Sequence, residues 1–189
     1  MKGYPLRFVI TALLYLSLVT GANADKAELE ALLEGDMRKL RIHSEPIDGS
    51  DVPFTAEDGS EISLADYVGQ HVVLNFWATW CAPCRAEMPL LSDLATQFEG
   101  EDLSVVTIAT GRNPRPSMER FFDEIGVDNL PLHTDARQGL ARSLGVLGLP
   151  VTLILDPQGQ EIARLQGEAD WNSESAINLL NALLADVKE

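Results

Sequence analysis

Two apolar runs in the middle of the chain predict the core of a β-sheet. Residues 72–77 (VVLNFW) and 103–109 (LSVVTIA) are rich in β-branched and aromatic side chains, which is typical of strands buried on both faces. Between the runs, apolar residues recur at the spacing of one helix face. They are Met88, Leu91, Leu94, Ala95 and Phe98. Because a strand–helix–strand crossover is right-handed and joins parallel strands, we expect these two strands to be parallel.

The remaining apolar patterns complete an α/β arrangement. They predict, in chain order, a β-hairpin over 52–64, helices over 117–125 and 136–144, strands over 151–155 and 161–165, and a closing helix over 172–187. The hairpin is centred on Asp58-Gly59, a dipeptide typical of tight β-turns. Strands and helices in this order predict a mixed β-sheet with helices on both faces.

The first fifty residues follow a different pattern. Residues 26–42 place apolar side chains at three- and four-residue steps, which predicts an amphipathic helix softened at Gly35. Residues 43–51 contain Pro46 and several polar side chains, so we interpret them as a linker. The predicted organisation is a leader over 1–24, a helix and linker over 25–49, and one globular domain over 50–189.

The N-terminus has the layout of an export signal. Two basic residues precede an apolar run over 8–19, and no acidic residue occurs before Asp25. The run is shorter than the roughly 20 apolar residues that span a bilayer, and an A-x-A cleavage pattern ends at Ala24. We therefore predict a secretory signal peptide over residues 1–24 and a periplasmic protein. An inner-membrane anchor retained over residues 8–24 and a buried core helix are the alternatives.

Charge and cysteine content narrow the class of protein. The 189 residues include 14 basic and 29 acidic side chains, for a net charge of −15. Nucleic acids and anionic membranes are bound by clustered Lys and Arg, so this balance argues against both as main partners. A hydrophobic content of 46% argues against disorder. A chain of this length can bury a core without disulfide cross-links, so its two cysteines need another explanation.

The two cysteines follow the first buried strand and open the predicted helix. Two intervening residues place the sulfurs of Cys81 and Cys84 on one helical turn, and Pro83 fits that turn because its missing N–H costs nothing there. The unpaired N–H groups and positive dipole end of a helix N-terminus lower a thiol pKa. We therefore predict that Cys81 exchanges with substrate disulfides and that the more shielded Cys84 resolves the mixed disulfide.

Two other uses of the cysteine pair fit the sequence less well. A structural zinc site needs two more Cys or His ligands, whereas His43, His71 and His133 are scattered. A structural disulfide across four residues would constrain the unfolded chain very little. Redox chemistry without a metal or other cofactor is therefore the main interpretation.

The residues around the cysteines resemble the active site of the thioredoxin superfamily. Residues 76–84 (FWATWCAPC) match its strand–helix junction, and 85–89 (RAEMP) narrow the resemblance to membrane-associated and periplasmic thioredoxins of the TlpA, ResA and cytochrome c maturation types. Further matches lie at 58–64, 145–152 and 156–159, and those at 167 and 170–171 most resemble the TlpA type. Over about residues 50–187, the resemblance implies a thioredoxin fold, with a mixed central β-sheet flanked by helices, an N-terminal β-hairpin and an inserted helix.

The resemblance also implies roles for residues outside the cysteine pair. Pro150 is expected to be cis and to face the cysteines, so that Leu149 and Pro150 form a substrate-binding surface with Trp80 and Pro83. Glu87 is expected to lie beneath the cysteines. A partly buried carboxyl has a raised pKa, and it can relay a proton during exchange.

Three further residues or segments qualify this assignment. By the resemblance, Asn75 occupies the position of a buried aspartate in cytoplasmic thioredoxins. Because asparagine cannot titrate, any proton transfer to or from the cysteines is expected to involve Glu87 or water. Asn75 itself is expected to be a hydrogen-bonded core residue. Trp77 is expected to serve in packing. The loop over 112–116 (RNPRP) is basic in an acidic chain, and it is either a contact for an acidic partner or a solvated loop.

These implications define an expected function. The chain is expected to be a thiol–disulfide oxidoreductase of the bacterial cell envelope, a monomer that reduces protein cysteines such as those of copper-centre assembly proteins or apocytochrome c. Its electrons are expected to come from a membrane reductant. One alternative is a thioredoxin-fold copper chaperone, for which His133 is the only downstream candidate ligand. A second is a thiol peroxidase, which needs threonine at the position of Ala78. A third is a non-enzymatic holdase.

Overall fold

The computed structural model describes residues 21–186. The helices are α1 (Gly21–Ala31), α2 (Ala82–Gln97), α3 (Arg115–Ile125), α4 (Gly139–Ser143) and α5 (Glu174–Asp186). The strands are β1 (Arg41–Ile47), β2 (Phe54–Thr55), β3 (Glu61–Ile62), β4 (His71–Trp77), β5 (Leu103–Thr110), β6 (His133–Asp135), β7 (Val151–Leu155) and β8 (Glu161–Gln166).

The N-terminal leader lies largely beyond the part that the structure describes. The signal peptide predicted over residues 1–24, and the alternative anchor over 8–24, overlap the described chain only from residue 21 onward. Between residues 21 and 186, no helix combines the length and the apolar character needed to cross a bilayer.

The eight strands within residues 21–186 belong to one sheet, in the order β1-β8-β7-β4-β5-β6-β2-β3. The central strand β4 pairs in parallel with β5 on one side and antiparallel with β7 on the other. Every residue of β4 is buried, including the polar His71 and Asn75, as the mostly apolar run over 72–77 predicts. The predicted mixed sheet and the parallel crossover through α2 are therefore confirmed.

Hydrophobic clusters cover both faces of this sheet, because successive β4 side chains point to opposite sides. Val73 and Trp77 belong to the larger cluster, which includes residues of α2, α3 and α5. Phe76 belongs to the smaller cluster, which includes Leu140 of α4. Trp77 stacks on Phe122 with ring centroids 5.4 Å apart, so its expected packing role is confirmed.

The N-terminal helix and linker differ from their predicted forms. The helix predicted over 26–42 ends at Ala31, and a 3₁₀ turn follows that begins at Gly35, where φ is +52°. The prediction of a linker over 43–51 was wrong for residues 43–47, which complete strand β1 at the edge of the sheet. Most β1 side chains are exposed, so the strand lacks the apolar–polar alternation that marks a half-buried strand.

Strand β1 pairs antiparallel with β8, but the pairing is irregular. The register shifts between Ile42 and Ile47, and Pro46 lies within this interval. Proline cannot donate to a ladder and is therefore tolerated at a sheet edge.

The other elements agree with the predictions to within a few residues, with one omission. The hairpin around Gly59 is present, although β2 and β3 contain only two residues each. The helix predicted over 136–144 is reduced to α4. Strand β6 was not predicted, because three residues are too few to establish a period.

Candidate active site

Cys81 and Cys84 form a disulfide across the first turn of α2, with Cα atoms 5.3 Å apart. Cys81 is the N-cap residue, and its sulfur accepts a hydrogen bond from the backbone N–H of Cys84 at 3.3 Å. Pro83 lies in the first helical turn, as predicted. In the reduced protein, this N–H and the helix dipole both favour a thiolate on Cys81.

The two sulfurs differ in accessibility. Cys81 retains 6% of its surface and lines an open groove of about 430 Å³, whereas Cys84 is 0% exposed. A substrate disulfide can therefore reach Cys81 first. This is the asymmetry that the sequence predicts for an attacking and a resolving cysteine.

The groove beside Cys81, here called the cysteine groove, has no charged side chain among its described lining residues. Its walls include Trp80, Pro83, Gln138, Leu147 and Leu149. Trp80 and Leu147 are 67% and 96% exposed, so two large apolar side chains flank the sulfur at the surface. An uncharged groove of this kind favours apolar or neutral substrate residues next to the reacting sulfur.

The Leu149–Pro150 peptide bond is cis, as predicted. Leu149 lines the cysteine groove, while Pro150 is buried and does not line it. The Pro150 carbonyl accepts a hydrogen bond from the backbone N–H of Gly167 at 2.9 Å. Of the four residues expected at the substrate-binding surface, Trp80, Pro83 and Leu149 line the groove and Pro150 does not.

Glu87 lies on α2, three residues beyond Cys84, and is 1% exposed. Its Oε1 accepts a hydrogen bond from Asn75 Nδ2 at 2.7 Å, and its Oε2 accepts one from the backbone N–H of Ala169 at 3.2 Å. Burial raises the pKa of Glu87 to about 7, against the lowering effect of these hydrogen bonds. The buried indole of Trp171 also lowers the pKa of Glu87, by less than Asn75 and Ala169 do. Its N–H makes no hydrogen bond among the described residues.

Asn75 is a hydrogen-bonded core residue, as expected, and the structure adds its link to Glu87. Its Nδ2 also donates to Thr152 Oγ1 at 2.9 Å, from the neighbouring strand β7. Its Oδ1 is buried and makes no hydrogen bond among the described residues. The side chain of Asn75 therefore connects the carboxyl of Glu87 to the strand that follows the cis peptide.

Asn113 is a supporting residue that sequence reasoning missed. Its Oδ1 accepts hydrogen bonds from the backbone N–H of Thr79 at 2.8 Å and from the Thr79 hydroxyl at 3.0 Å. Its Nδ2 donates to the Thr110 carbonyl at 2.9 Å. Asn113 thus fixes the turn that presents Trp80 and Cys81, and only its position in a proline-containing loop hinted at a special conformation.

Gln138 and Leu147 were also missed as groove residues. Gln138 has a φ of +56°, in the left-handed region that non-glycine residues seldom adopt. Leu147 lies in the loop before the cis peptide, where no periodic pattern distinguishes a groove residue from a solvated one.

The surroundings of His133, the candidate ligand downstream of the cysteine pair, are defined by the structure. Between residues 21 and 186, no group of three or more His, Cys, Asp or Glu side chains is arranged to hold a metal ion. Nδ1 of His133 accepts a hydrogen bond from the Glu57 N–H at 3.1 Å, and its Nε2 lies 2.9 Å from the Tyr67 hydroxyl. Both ring nitrogens are therefore engaged, and burial lowers the pKa of His133.

Comparison with known proteins identifies a family and several relatives of this chain. A family model described as the AhpC/TSA family matches residues 49–162. The thiol-disulfide oxidoreductase ResA of Bacillus subtilis (strain 168) is 32% identical over 123 residues, covering 64% of this chain and 68% of that protein. ResA of Bacillus thuringiensis (strain Al Hakam) is 28% identical over 171 residues, covering 89% of this chain and 91% of that protein.

A solved structure shows the same fold. The structure of a secreted thiol-disulfide isomerase from Corynebacterium glutamicum superposes with a TM-score of 0.66 and 25% sequence identity, covering 82% of this chain and 96% of that chain. The thioredoxin fold expected from the sequence is thereby confirmed.

Proposed function

The chain belongs to the AhpC/TSA family and is a thiol–disulfide oxidoreductase; from that premise we propose that it reduces protein disulfides in the bacterial cell envelope. The observation that carries this proposal is the unequal burial of a cysteine pair at a helix N-terminus. Cys81 opens onto the cysteine groove and Cys84 is fully buried. This arrangement suits a dithiol in which Cys81 attacks a substrate disulfide and Cys84 then forms the Cys81–Cys84 disulfide.

The reaction transfers two electrons from the dithiol to a substrate disulfide. The Cys81 thiolate attacks one substrate sulfur, the substrate S–S bond breaks, and the other substrate sulfur leaves as a thiolate that takes up a proton. The Cys84 sulfur, after losing its proton, attacks Cys81 in the mixed disulfide. The substrate sulfur that Cys81 had attacked then leaves as a thiolate and takes up a proton, and the Cys81–Cys84 disulfide remains.

Glu87 is proposed to receive the proton that Cys84 loses. The two residues are three apart on α2 and therefore share a helix face. With a pKa of about 7, the carboxyl of Glu87 is partly ionised near neutral pH and can both accept and return a proton. Asn75 and Ala169 position this carboxyl through their hydrogen bonds.

Substrate binding is proposed to involve Trp80, Pro83, Leu149 and Pro150. The first three line the cysteine groove, which supports a direct contact. Pro150 is proposed to act through the shape of the cis peptide that orients Leu149.

The direction, partners and location are proposed from the resemblance and the comparisons together. Cysteines of copper-centre assembly proteins or of apocytochrome c are the proposed substrates, and a membrane reductant is the proposed electron donor. The predicted signal over residues 1–24 and the similarity to a secreted isomerase support a periplasmic location. A copper chaperone is disfavoured because both ring nitrogens of His133 are engaged within the fold.

Trapping experiments test the assigned roles. Cys84→Ser leaves an attacking thiol without a resolving one, so it should retain substrate proteins as mixed disulfides, while Cys81→Ser should retain none. Envelope extracts are resolved on non-reducing gels, and captured proteins are identified by mass spectrometry, with the double serine variant as the control. Equal trapping by both single variants would contradict the roles.

The reduction potential of the cysteine pair tests the direction. Equilibration with a dithiol buffer of known potential gives the value. A potential of about −270 mV, like that of a reducing thioredoxin, supports a reductant, whereas one of about −120 mV identifies a strong oxidant and contradicts the proposal.

A further inference from the structure

Trp80 separates two grooves of different chemistry on the active-site face. One is the uncharged cysteine groove. The other has a volume of about 400 Å³, shares Trp80 as a wall, and is here called the arginine groove. The other residues that line the arginine groove are Thr79, Arg85, Ser117, Arg120, Phe121 and Glu124.

The arginine groove carries more positive than negative charge. The guanidinium of Arg85 lies 4.0 Å from the centroid of the Phe121 ring, a cation–π contact that holds it in place. The exposed carboxylate of Glu124 approaches Arg85 to 3.8 Å. Arg120 is exposed, and its guanidinium makes no hydrogen bond or ion pair with any described residue. Two cations thus face one loosely paired carboxylate, in a chain whose net charge is −15.

The neighbouring basic loop carries two further arginines. Arg115 is used within the fold, because its guanidinium pairs with Glu57 at 3.0 Å and with Glu119 at 2.8 Å. Arg112 is exposed and directly precedes Asn113, which is hydrogen-bonded to the turn before Trp80. Arg112 and Arg115 are therefore balanced by Glu57 and Glu119, and the excess positive charge lies in the arginine groove itself.

We propose that the arginine groove binds an acidic segment of the protein substrate, while the cysteine groove holds the uncharged residues around the reacting sulfur. This inference rests on the proposed function and adds a substrate class, namely proteins whose reactive cysteine has Asp or Glu a few residues away. Because Trp80 is common to both grooves, an extended segment that crosses its indole enters both. The negative charge elsewhere on the chain repels such a segment, so attraction at this one place also sets its orientation.

Synthetic peptides test the substrate class. Each peptide has one cysteine flanked by leucine and alanine, with Glu, Gln or Lys at the third and fourth positions on both sides, and is supplied as its symmetrical disulfide dimer. The reduced protein releases two peptide thiols per dimer and becomes oxidised at Cys81 and Cys84. Acid quenching followed by chromatography gives the rate. We expect the Glu dimer to react about three to ten times faster than the Gln dimer, with the Lys dimer slowest.

Substitutions locate the effect in the groove. Arg120→Gln should bring the ratio of the Glu and Gln rates below about two, and Arg85→Gln should lower it as well. Arg38→Gln, which removes an exposed arginine that lines neither groove, should leave the ratio as in the unmodified protein. Sodium chloride at 0.5 M should compress the ratio in the unmodified protein, since salt screens surface charges. A ratio unaffected by Arg120→Gln and Arg85→Gln would overturn the proposal.

A binding measurement keeps this inference separate from the proposed function. Peptides with serine in place of cysteine cannot exchange, and their binding to the oxidised protein is followed by tryptophan fluorescence. If the Glu peptide binds more tightly than the Gln peptide, and Arg120→Gln abolishes this difference, the groove is supported even when no peptide dimer is reduced. Failure to reduce any dimer would refute only the proposed reaction. Equal binding of the two peptides refutes the groove. Displacement of the Glu peptide by a single-stranded oligonucleotide of equal charge at equal concentration would also refute it, because the groove would then not select protein segments.

Discussion

Glu87 makes the stability of the oxidised protein depend on pH, and Glu87→Gln tests this dependence. Burial raises the pKa of Glu87 from an ordinary 4.5 to about 7 in the folded state. Each pKa unit corresponds to about 1.4 kcal/mol, so ionising this carboxyl disfavours the folded state by about 3 kcal/mol. The pKa of Glu87 is higher in the folded state than in the unfolded state. The contribution of protonated Glu87 to the free energy of unfolding is therefore fully present below pH 4.5 and is lost as the pH rises through about 7.

Glutamine keeps the shape of this side chain but cannot ionise. Its amide oxygen can accept the hydrogen bond from the Ala169 N–H, which leaves its NH₂ group facing Asn75. Asn75 can rotate its amide to present Oδ1, since that atom makes no hydrogen bond among the described residues and the hydroxyl of Thr152 can donate as well as accept. The variant should therefore resemble the protein with Glu87 protonated.

The assay is urea denaturation of the oxidised proteins from about pH 4.5 to 8.5. The oxidised form is used because disulfide-bonded cysteines do not titrate. Over this range, the free energy of unfolding should fall by about 3 kcal/mol more in the unmodified protein than in Glu87→Gln, because all other groups cancel in the difference. Glu99→Gln, at an exposed position just after α2, should run parallel to the unmodified protein. Parallel curves for Glu87→Gln, within about 0.5 kcal/mol, would refute the reasoning.

Two further predictions concern the supports of the site and of the fold. Asn113→Ala removes three hydrogen bonds around the turn before Trp80, so it should lower the free energy of unfolding by about 1–3 kcal/mol and also slow disulfide exchange. The control is Asn129→Ala, which removes three hydrogen bonds between a loop and α2. It should lower the free energy of unfolding by a similar amount in urea denaturation without slowing exchange. Gly49→Ala would place a Cβ against the carbonyl oxygen of Gly159 and should lower the thermal unfolding midpoint, by an amount equivalent to about 1–3 kcal/mol. Gly148→Ala, whose Cβ meets no atom within 4 Å, should change that midpoint little, and equal shifts in the two variants would contradict the packing argument.

The parts of the fold that were predictable are those where burial imposes a pattern on the sequence. Strand β4 is buried along its whole length, so its apolar run alone identified it. Strand β1 lies at an edge with most side chains exposed, and nothing in its composition separated it from a linker. Strand β6 pairs with β5 through three residues, which is too short for any period to appear.

The same distinction applies to the candidate site. The positions of Cys81 and Cys84 follow from local geometry, since a helix begins directly after a buried strand. The link from Asn75 to Glu87 joins residues 12 apart in sequence, and the bond from Asn113 to Thr79 joins residues 34 apart. Such contacts depend on how β4, α2 and the loop after β5 pack together, and no spacing along the chain encodes them.

The irregular strand β1 affects how readily other polypeptide chains can pair with the edge of the sheet. A catalyst of disulfide exchange meets partly unfolded chains, whose exposed strands add readily to any long, flat sheet edge and start aggregation. At one end of the described sheet, Pro46 and the register shift interrupt the row of hydrogen-bonding groups. At the other end, β3 offers only two residues. Both edges are thus poor templates for an unfolded chain, which limits aggregation of this protein through its sheet edges.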